Sequence, residues 1–262
     1  MTERESSHLS QAPFERGASE LLPTPDLQAA YAAISAETLP RAPAIEHKKA
    51  LVSEIRTRGH LSEEILRRYP VVYVGSATDV EYPLALGCRN LVLVDPALRE
   101  PEARDSLVRR ISKVIGEQPT QRSERELDFA FDFGAGDEQV RVRLEPTLYH
   151  PSSEEAAQRW GRFAPPKEIG MILGYQTEGV QVDEEHAAME RLVPGGYVLT
   201  NSASGSFLTT LSEEERAQYI YRDHPKPVIE LLQKKWAERG FEFVALHTEG
   251  DSYHYTFLRK QS

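Results

Sequence analysis

Short runs of consecutive apolar residues, separated by segments of helical spacing, constrain the fold of this chain more than any other feature. The clearest runs are Val71–Val74, Leu91–Val94, Ile169–Leu173 and Tyr197–Thr200. Runs of this length are typical of strands that are covered on both faces of a sheet. Between residues 98 and 114, apolar side chains recur instead every three or four positions, as on a buried helix face. The alternation predicts an α/β fold with a mostly parallel sheet and helices on both faces.

Two segments predict antiparallel pairing. Residues 127–144 alternate between apolar and polar side chains on either side of Gly134–Asp137, which predicts a hairpin, an insertion or an extended third-strand region. Strands predicted near residues 241–247 and 253–259 are separated by only a few residues, so the last strand must run opposite to its neighbour.

Several turn and cap signals mark helix ends. Ser152 and Glu155 have the spacing of a capping box, and Ser212 with Glu215 repeats it. Asp183 is expected to cap a helix that ends at 194–196, where Pro-Gly-Gly leads directly into the strand at Tyr197. Pro227 is expected to open the helix that ends at 240.

The domain organisation follows from where the alternating pattern begins. Residues 1–23 are polar, with scattered proline, and are expected to form a disordered tail. Residues 24–68 are expected to form an N-terminal helical extension, with helices near 24–34 and 45–58. Residues 69–262 then form the main domain.

Composition narrows the classes of partner. The net charge is −10 and the pI about 5.4, which disfavours nucleic-acid binding, because that binding depends on Lys and Arg neutralising phosphates. No stretch is long and apolar enough for a membrane span, and the first residues lack the apolar core of a signal peptide. Cys88 is the single cysteine, which favours a reducing, cytoplasmic location. A small molecule is therefore the expected partner, and the oligomeric state is open.

The chemistry is expected at the carboxyl ends of the parallel strands, where open sheets of this kind bind ligands. The loop Gly75–Asp79 leaves the first strand, and its glycine allows a ligand to approach the backbone closely. Asp95 lies twenty positions later, at the end of the second strand. A carboxylate there can accept hydrogen bonds from both hydroxyls of a ribose.

The residues VVYVGSATDVEYPLALGCRNLVLVDP at 71–96 resemble the first two strands of a class I S-adenosylmethionine-dependent methyltransferase. Residues 191–199, RLVPGGYVL, resemble the approach to the fifth strand of that family. The terminal antiparallel pair is similar to its reversed last strand. The resemblance covers roughly residues 69–259 and implies a Rossmann-like fold with S-adenosylmethionine as cofactor.

The resemblance also implies which residues meet the cofactor. Gly75 and Ser76 would lie against its methionine part, and Asp95 would bind its ribose. The loop around Tyr149 would lie near the adenine, and Gly174 and the residue after it would face the transferred methyl group. The full set of expected cofactor-binding residues is Gly75, Ser76, Asp79, Asp95, Pro96, Tyr149, Gly174 and Tyr175.

Each of these residues also has a purely structural interpretation. Asp95 is equally suited to cap a helix or close a turn, and Gly75 to form an ordinary turn between strand and helix. Tyr149 and Tyr175 are suited to packing. Cys88 is expected to be a small buried apolar residue rather than a reactive thiol.

The function therefore has two interpretations. The first is a methyltransferase that acts on a small-molecule acceptor, with no catalytic base assignable. The second is a non-catalytic protein that keeps the fold as a partner or regulatory module, since the loop after the first strand holds a single glycine, Gly75. An NAD-dependent oxidoreductase would require a glycine-rich fingerprint that the sequence lacks, and no Cys or His pairs have zinc spacing.

Overall fold

The computed structural model describes residues 61–75, 80, 83–84, 86–125, 128–136, 139–149, 151, 153–174, 187–200, 233–234, 236–249 and 253–261. The predicted tail at 1–23, the helices at 24–34 and 45–58, and the predicted caps at Ser152, Asp183 and Ser212 lie outside these residues. None of the helices in the described ranges is long and apolar enough to cross a membrane.

The described residues form a nine-stranded sheet. In chain order its strands are β1 (Val71–Val74), β2 (Asn90–Val94), β3 (Pro119–Arg125), β4 (Asp128–Phe133), β5 (Val140–Glu145), β6 (Ile169–Gly174), β7 (Leu192–Thr200), β8 (Phe241–Glu249) and β9 (Tyr253–Lys260). In space their order is β3-β4-β5-β2-β1-β6-β7-β9-β8.

The five central strands, β5-β2-β1-β6-β7, pair in parallel. The apolar runs predict four of them, β1, β2, β6 and β7, whereas β5 comes from the segment with alternating side chains. The chain passes from β1 through β2 to β5 on one side and then returns to place β6 on the other side of β1. The strand order therefore reverses between β1 and β6, at the position where open α/β sheets bind ligands. β9 runs antiparallel to β7, so the expected reversal of the last strand is confirmed.

Five helical segments flank the strands in the described residues: α1 (Glu63–Arg68), a 3-10 helix at Pro96–Arg99, α2 (Pro101–Ile115), α3 (Glu154–Trp160) and α4 (Ala187–Glu190). The longest, α2, begins with a proline and buries Leu107, Ile111 and Val114, which recur on one face. It ends at Gly116, which has φ +78° and donates its amide to the Ser112 carbonyl. Residues 233–234 and 236–238 are also helical.

Alternate residues of the central strands supply two separate cores, one on each face of the sheet. The first core contains Val71, Tyr73 and Leu93 with the buried side of α2, and Phe133 of β4 joins it. The second contains Val72, Val94 and Ile172. The aromatic side chains of Tyr149, Phe163 and Trp236, together with α4, pack over this second face of the sheet. The sheet is thus covered on both sides, as predicted.

The structure differs from expectation at three points. The predicted hairpin is present as β4 and β5, but a further strand, β3, extends it to a three-stranded antiparallel unit. The segment PTQRSER has no apolar alternation, because it is an edge strand held by backbone pairing. The cap of α3 is Ser153, whose hydroxyl accepts from the Ala156 amide at 3.1 Å, and not the preceding serine. Ser153 has Ala156 rather than a glutamate three positions later, so the capping-box spacing pointed to the wrong serine.

The third difference concerns residues 194–196. They belong to β7, which begins at Leu192, rather than to a turn before it. The pairing of β6 with β7 shifts register here, since Ile169 faces Leu192 whereas Met171 faces Tyr197. The Pro-Gly-Gly sequence therefore forms an irregularity inside the strand, and the preceding helix in the described residues, α4, ends at Glu190.

Candidate functional site

Gly75 is the first residue after β1, and it turns the chain sharply. Its φ is +71°, a backbone conformation that only glycine adopts without strain. Its amide donates to the Val94 carbonyl of the neighbouring strand at 2.8 Å. The turn predicted at Gly75 is therefore present, and it leaves backbone without a Cβ at the carboxyl end of β1. The carboxyl ends of the parallel strands together form what we call the carboxyl edge of the sheet.

Asp95 lies one strand away, directly after β2. Its side-chain Oδ1 accepts from the Ala97 amide at 2.9 Å, so it is the N-cap of the 3-10 helix at Pro96–Arg99. Pro96 occupies the first position of that helix, where its missing N–H costs nothing. Asp95 is half-buried. The capping interpretation is thus confirmed, and the ribose-binding role of Asp95 stays a prediction.

The segment after β5 lies next to Asp95. The Asp95 amide donates to the Glu145 carbonyl at 3.1 Å, which continues the parallel pairing beyond β2. Tyr149 is 3% exposed, and its ring stacks on Phe163 with centroids 5.8 Å apart and planes inclined by 26°. The packing interpretation of the Tyr149 ring is therefore confirmed, while its contact with adenine stays a prediction.

Gly174 is the last residue of β6 and is buried, and it pairs with Thr200 at the end of β7. It lies at the same edge as Gly75, on the other side of the reversal in strand order. The three remaining predicted cofactor contacts, Ser76, Asp79 and Tyr175, lie outside the described residues. Five of the predicted residues therefore share the carboxyl edge of the sheet, at the ends of four neighbouring strands.

Sequence reasoning missed Arg99, which lies beside this edge. Its Nε donates to the Pro146 carbonyl at 3.1 Å and its Nη1 to the Arg159 carbonyl at 2.7 Å. Its guanidinium carbon also lies 5.2 Å from the centre of the Trp160 ring. The partners are 47 and 60 positions away in the chain, so no local spacing points to this residue.

Cys88 lies at the opposite edge, before β2, and is fully buried. Desolvation raises the pKa of its thiol from 9.0 to about 12, although the positive charge of Arg89 and a backbone hydrogen bond act in the other direction. A protonated, buried thiol is a poor nucleophile, so the expectation of a small apolar residue is confirmed. No cluster of three or more His, Cys, Asp and Glu side chains suited to a metal ion occurs among the residues with described positions.

Comparisons with known proteins give structural likeness only. No family model matches the chain, and no curated protein matches it. An O-methyltransferase from Bacillus cereus in complex with SAH is similar at 14% identity and a TM-score of 0.41, with 93% of this chain and 94% of that chain covered. The O-methyltransferase TomG from Streptomyces achromogenes in complex with SAM is similar at 16% identity and a TM-score of 0.42, with 94% of each chain covered. The branched-chain polyamine synthase from Thermus thermophilus is similar at 12% identity and a TM-score of 0.46, with 93% of this chain and 66% of that chain covered.

The fold can be identified from the sheet itself. Five parallel strands are ordered β5-β2-β1-β6-β7, and the reversed strand β9 is inserted between β7 and β8. Together with the glycine turn after β1 and the acidic residue after β2, this is the arrangement that the sequence resemblance implies. The chain therefore has a Rossmann-like α/β fold with a reversed last strand, as the resemblance to the class I S-adenosylmethionine-dependent methyltransferases implies.

Proposed function

We propose that this protein is an S-adenosylmethionine-dependent methyltransferase that acts on a small-molecule acceptor. The observation that carries the proposal is the placement of Gly75 and Asp95. They follow adjacent parallel strands, and Gly75 borders the reversal of strand order between β1 and β6. A bare backbone turn beside a carboxylate suits a ligand with both an amino-acid end and a ribose.

The residues present fit such a cofactor. Asp95 is half-buried at the end of β2, where its carboxylate is suited to accept hydrogen bonds from ribose hydroxyls. Gly75 presents no side chain at the end of β1, which suits the methionine end. The segment after β5, from Pro146 to Tyr149, is proposed to lie along the adenine, and Pro96 to approach it from the side of β2.

When held by Gly75 and Asp95, S-adenosylmethionine would supply the methyl group for transfer to the acceptor. The protein's main task in such a reaction is to hold the two reactants in line. Gly174 and Tyr175 follow β6 on the far side of the reversal, and we propose that this part of the edge faces the methyl group. The acceptor would then approach from the side of β6 and β7.

The acidic charge supports a small molecule as acceptor. A net charge of −10 weakens attraction to the phosphates of nucleic acids. The single, buried thiol of Cys88 is consistent with a cytoplasmic enzyme in a reducing compartment.

Substitutions at Asp95 test the proposal, because the capping and ribose-binding roles can be separated. Asp95→Ser keeps a good N-cap acceptor but shortens and neutralises the side chain, so the free energy of unfolding should change by less than about 0.5 kcal/mol. Loss of the charged acceptor should weaken S-adenosylhomocysteine binding at least about tenfold. Asp95→Ala should show the same loss of binding and, in addition, a stability loss of about 1 kcal/mol.

Calorimetric titration with S-adenosylhomocysteine, paired with urea unfolding, measures both effects. Wild-type binding with a weakened Asp95→Ser variant supports the proposed site. Equal binding by wild type and Asp95→Ser would assign Asp95 to capping alone. Wild-type protein that binds no S-adenosylhomocysteine would favour the non-catalytic interpretation of the fold instead.

A further inference from the structure

Arg99 connects two segments that are far apart in the chain. It is the last residue of the 3-10 helix whose N-cap is Asp95. Its side chain crosses to the segment after β5, where Nε donates to the Pro146 carbonyl at 3.1 Å. The residue proposed to bind ribose and the segment proposed to lie along adenine are thus joined through one guanidinium group.

The second contact of Arg99 is with the end of α3. Its Nη1 donates to the carbonyl of Arg159 at 2.7 Å, in the last turn of that helix. Carbonyls in the last turn of a helix lack partners within the helix, and a positive charge there is favourable. The Trp160 ring lies within 5.2 Å of the guanidinium carbon and limits its orientation further. The rigid, planar group is thereby held in one geometry by three contacts.

The segment that Arg99 contacts is fixed from its other side as well. The Phe163 amide donates to the Leu148 carbonyl at 3.0 Å, and Leu148 forms a bridge with Arg162. The Thr147 amide donates to the Glu145 carbonyl at 2.8 Å. Arg99 provides the contact that runs from this segment to the helix capped by Asp95.

Arg104 has a different role. Its Nη1 donates to the carbonyls of Leu98 and Arg99, and its guanidinium carbon lies 4.1 Å from the centre of the Phe129 ring. These contacts hold the 3-10 helix against α2 and β4. Arg104 thus anchors the 3-10 helix, whereas Arg99 connects that helix to Pro146, beyond the point where the Asp95 amide bonds to the Glu145 carbonyl.

We propose that Arg99 is a positioning residue for the nucleoside half of the cofactor. By joining the helix after Asp95 to the Pro146 carbonyl, it holds the ribose-binding and adenine-binding segments at the spacing that an adenosine group requires. This inference rests on the proposed function. It predicts that Arg99 affects ligands through their adenosine half and leaves the amino-acid end, at Gly75, unaffected.

Two ligands and four proteins test the inference. S-adenosylhomocysteine contains both the adenosine and the amino-acid half, whereas 5′-methylthioadenosine retains only the adenosine. Each is titrated calorimetrically into wild type, Arg99→Ala, Arg99→Lys and Arg162→Ala, well below the melting temperature of each protein. Arg162 is the matched control, because its bridge with Leu148 is made by backbone, which alanine keeps, while its side chain pairs at the surface with Glu154.

Arg99→Ala should lower the affinity for both ligands by the same factor, about tenfold. The reason is that Arg99 no longer holds the segment 146–149, while the Gly75 turn is intact. A lysine at position 99 can donate to one carbonyl but cannot contact Pro146 and Arg159 together from one planar group. Arg99→Lys should therefore lower the affinity for both ligands by about threefold. Arg162→Ala should bind both within about twofold of wild type.

The possible results are distinguishable. Wild type that binds neither ligand refutes the proposed function, and the role of Arg99 with it. Wild type that binds while Arg99→Ala binds equally well refutes the positioning role alone. The positioning role is also refuted if Arg99→Ala loses more affinity for S-adenosylhomocysteine than for 5′-methylthioadenosine, because the substitution would then affect binding of the amino-acid end. If Arg99→Ala does not fold, Arg99→Lys decides, and unchanged binding by that variant counts against the inference.

Discussion

The amino and carboxyl ends of the parallel strands, which form two opposite edges of the sheet, both contain glycines, but for different structural reasons. At the amino edge, Gly170 and Gly196 lie where a side chain would collide with neighbouring backbone, and the Cys88 thiol is fully buried. At the carboxyl edge, Gly75 is required for its positive φ, and Asp95 keeps its carboxylate half-exposed at a strand end.

Because of this difference, we expect residues at the amino edge to determine stability and residues at the carboxyl edge to determine ligand binding. A Cβ on Gly196 would lie 2.8 Å from the Val193 carbonyl oxygen and 3.0 Å from that of Gly170. A Cβ on Gly170 would lie 3.0 Å from the Ile65 carbonyl oxygen of α1. Substitutions at the amino edge should therefore lower stability, whereas those at the carboxyl edge should mainly lower ligand affinity.

The largest effect is expected from Gly196→Ala. The added methyl would collide with two backbone oxygens, which cannot rotate away as a side chain does, so the free energy of unfolding should fall by about 3 kcal/mol. Urea unfolding measures the loss. Gly116→Ala is the control, because Gly116 has φ +78° but nothing within 4 Å of the added Cβ.

Gly116→Ala should cost about 1 kcal/mol, which is the conformational penalty alone. Similar losses for Gly196→Ala and Gly116→Ala would show that the irregular part of β7 can adjust, and the amino edge would not be the rigid one.

The next effect concerns Gly75→Ala compared with Gly87→Ala. Both glycines have positive φ, +71° and +89°, so both variants should lose about 1 kcal/mol of stability. Only Gly75 lies at the proposed site, and a displaced turn there should weaken S-adenosylhomocysteine binding by at least about tenfold. Equal affinities of the two variants for S-adenosylhomocysteine would show that Gly75 does not belong to the site and that the two edges do not differ in this respect.

The smallest effect is the pH dependence contributed by Cys88. The pKa of its thiol is raised from 9.0 to about 12, so the unfolded protein ionises first as pH rises. The stabilising contribution is fully present below pH 9 and is lost as the pH rises toward 12. Between about pH 7.5 and pH 9.5, wild type should lose about 0.8 kcal/mol more stability than Cys88→Ala. Parallel pH profiles for the two proteins would mean that the thiol is hydrated.

Much of the fold could be predicted because the central strands are buried on both faces. A continuous apolar run as short as Val71–Val74 suits a strand between two layers far better than a surface helix or a loop, and the short turn before β9 required an antiparallel pair. Strand β3 could not be predicted, because an edge strand is held by backbone hydrogen bonds that carry no side-chain pattern. The prediction of a turn at the Pro-Gly-Gly segment was also wrong, because the segment forms an irregularity within β7, between the residues that pair with Ile169 and Met171.

The site was predictable only in part, for a related reason. Gly75 and Asp95 follow strand ends, and a strand end can be found from local sequence. Arg99 works through carbonyls of Pro146 and Arg159, and any residue supplies a carbonyl, so no residue type marks its partners. The capping role of Asp95 was one of two interpretations that the sequence left open, and Pro96 at the first position of the helix is consistent with it.

The position of β9 between β7 and β8 also determines the order in which the sheet can be completed. β8 is made before β9, yet its pairing within the sheet is to β9 alone among the described strands. β8 therefore reaches the rest of the sheet only through β9, which follows it after a short connection and is synthesised later. Among the described strands β8 is also the last one on this side of the completed sheet, and the edge of such a strand is a site where another chain can pair.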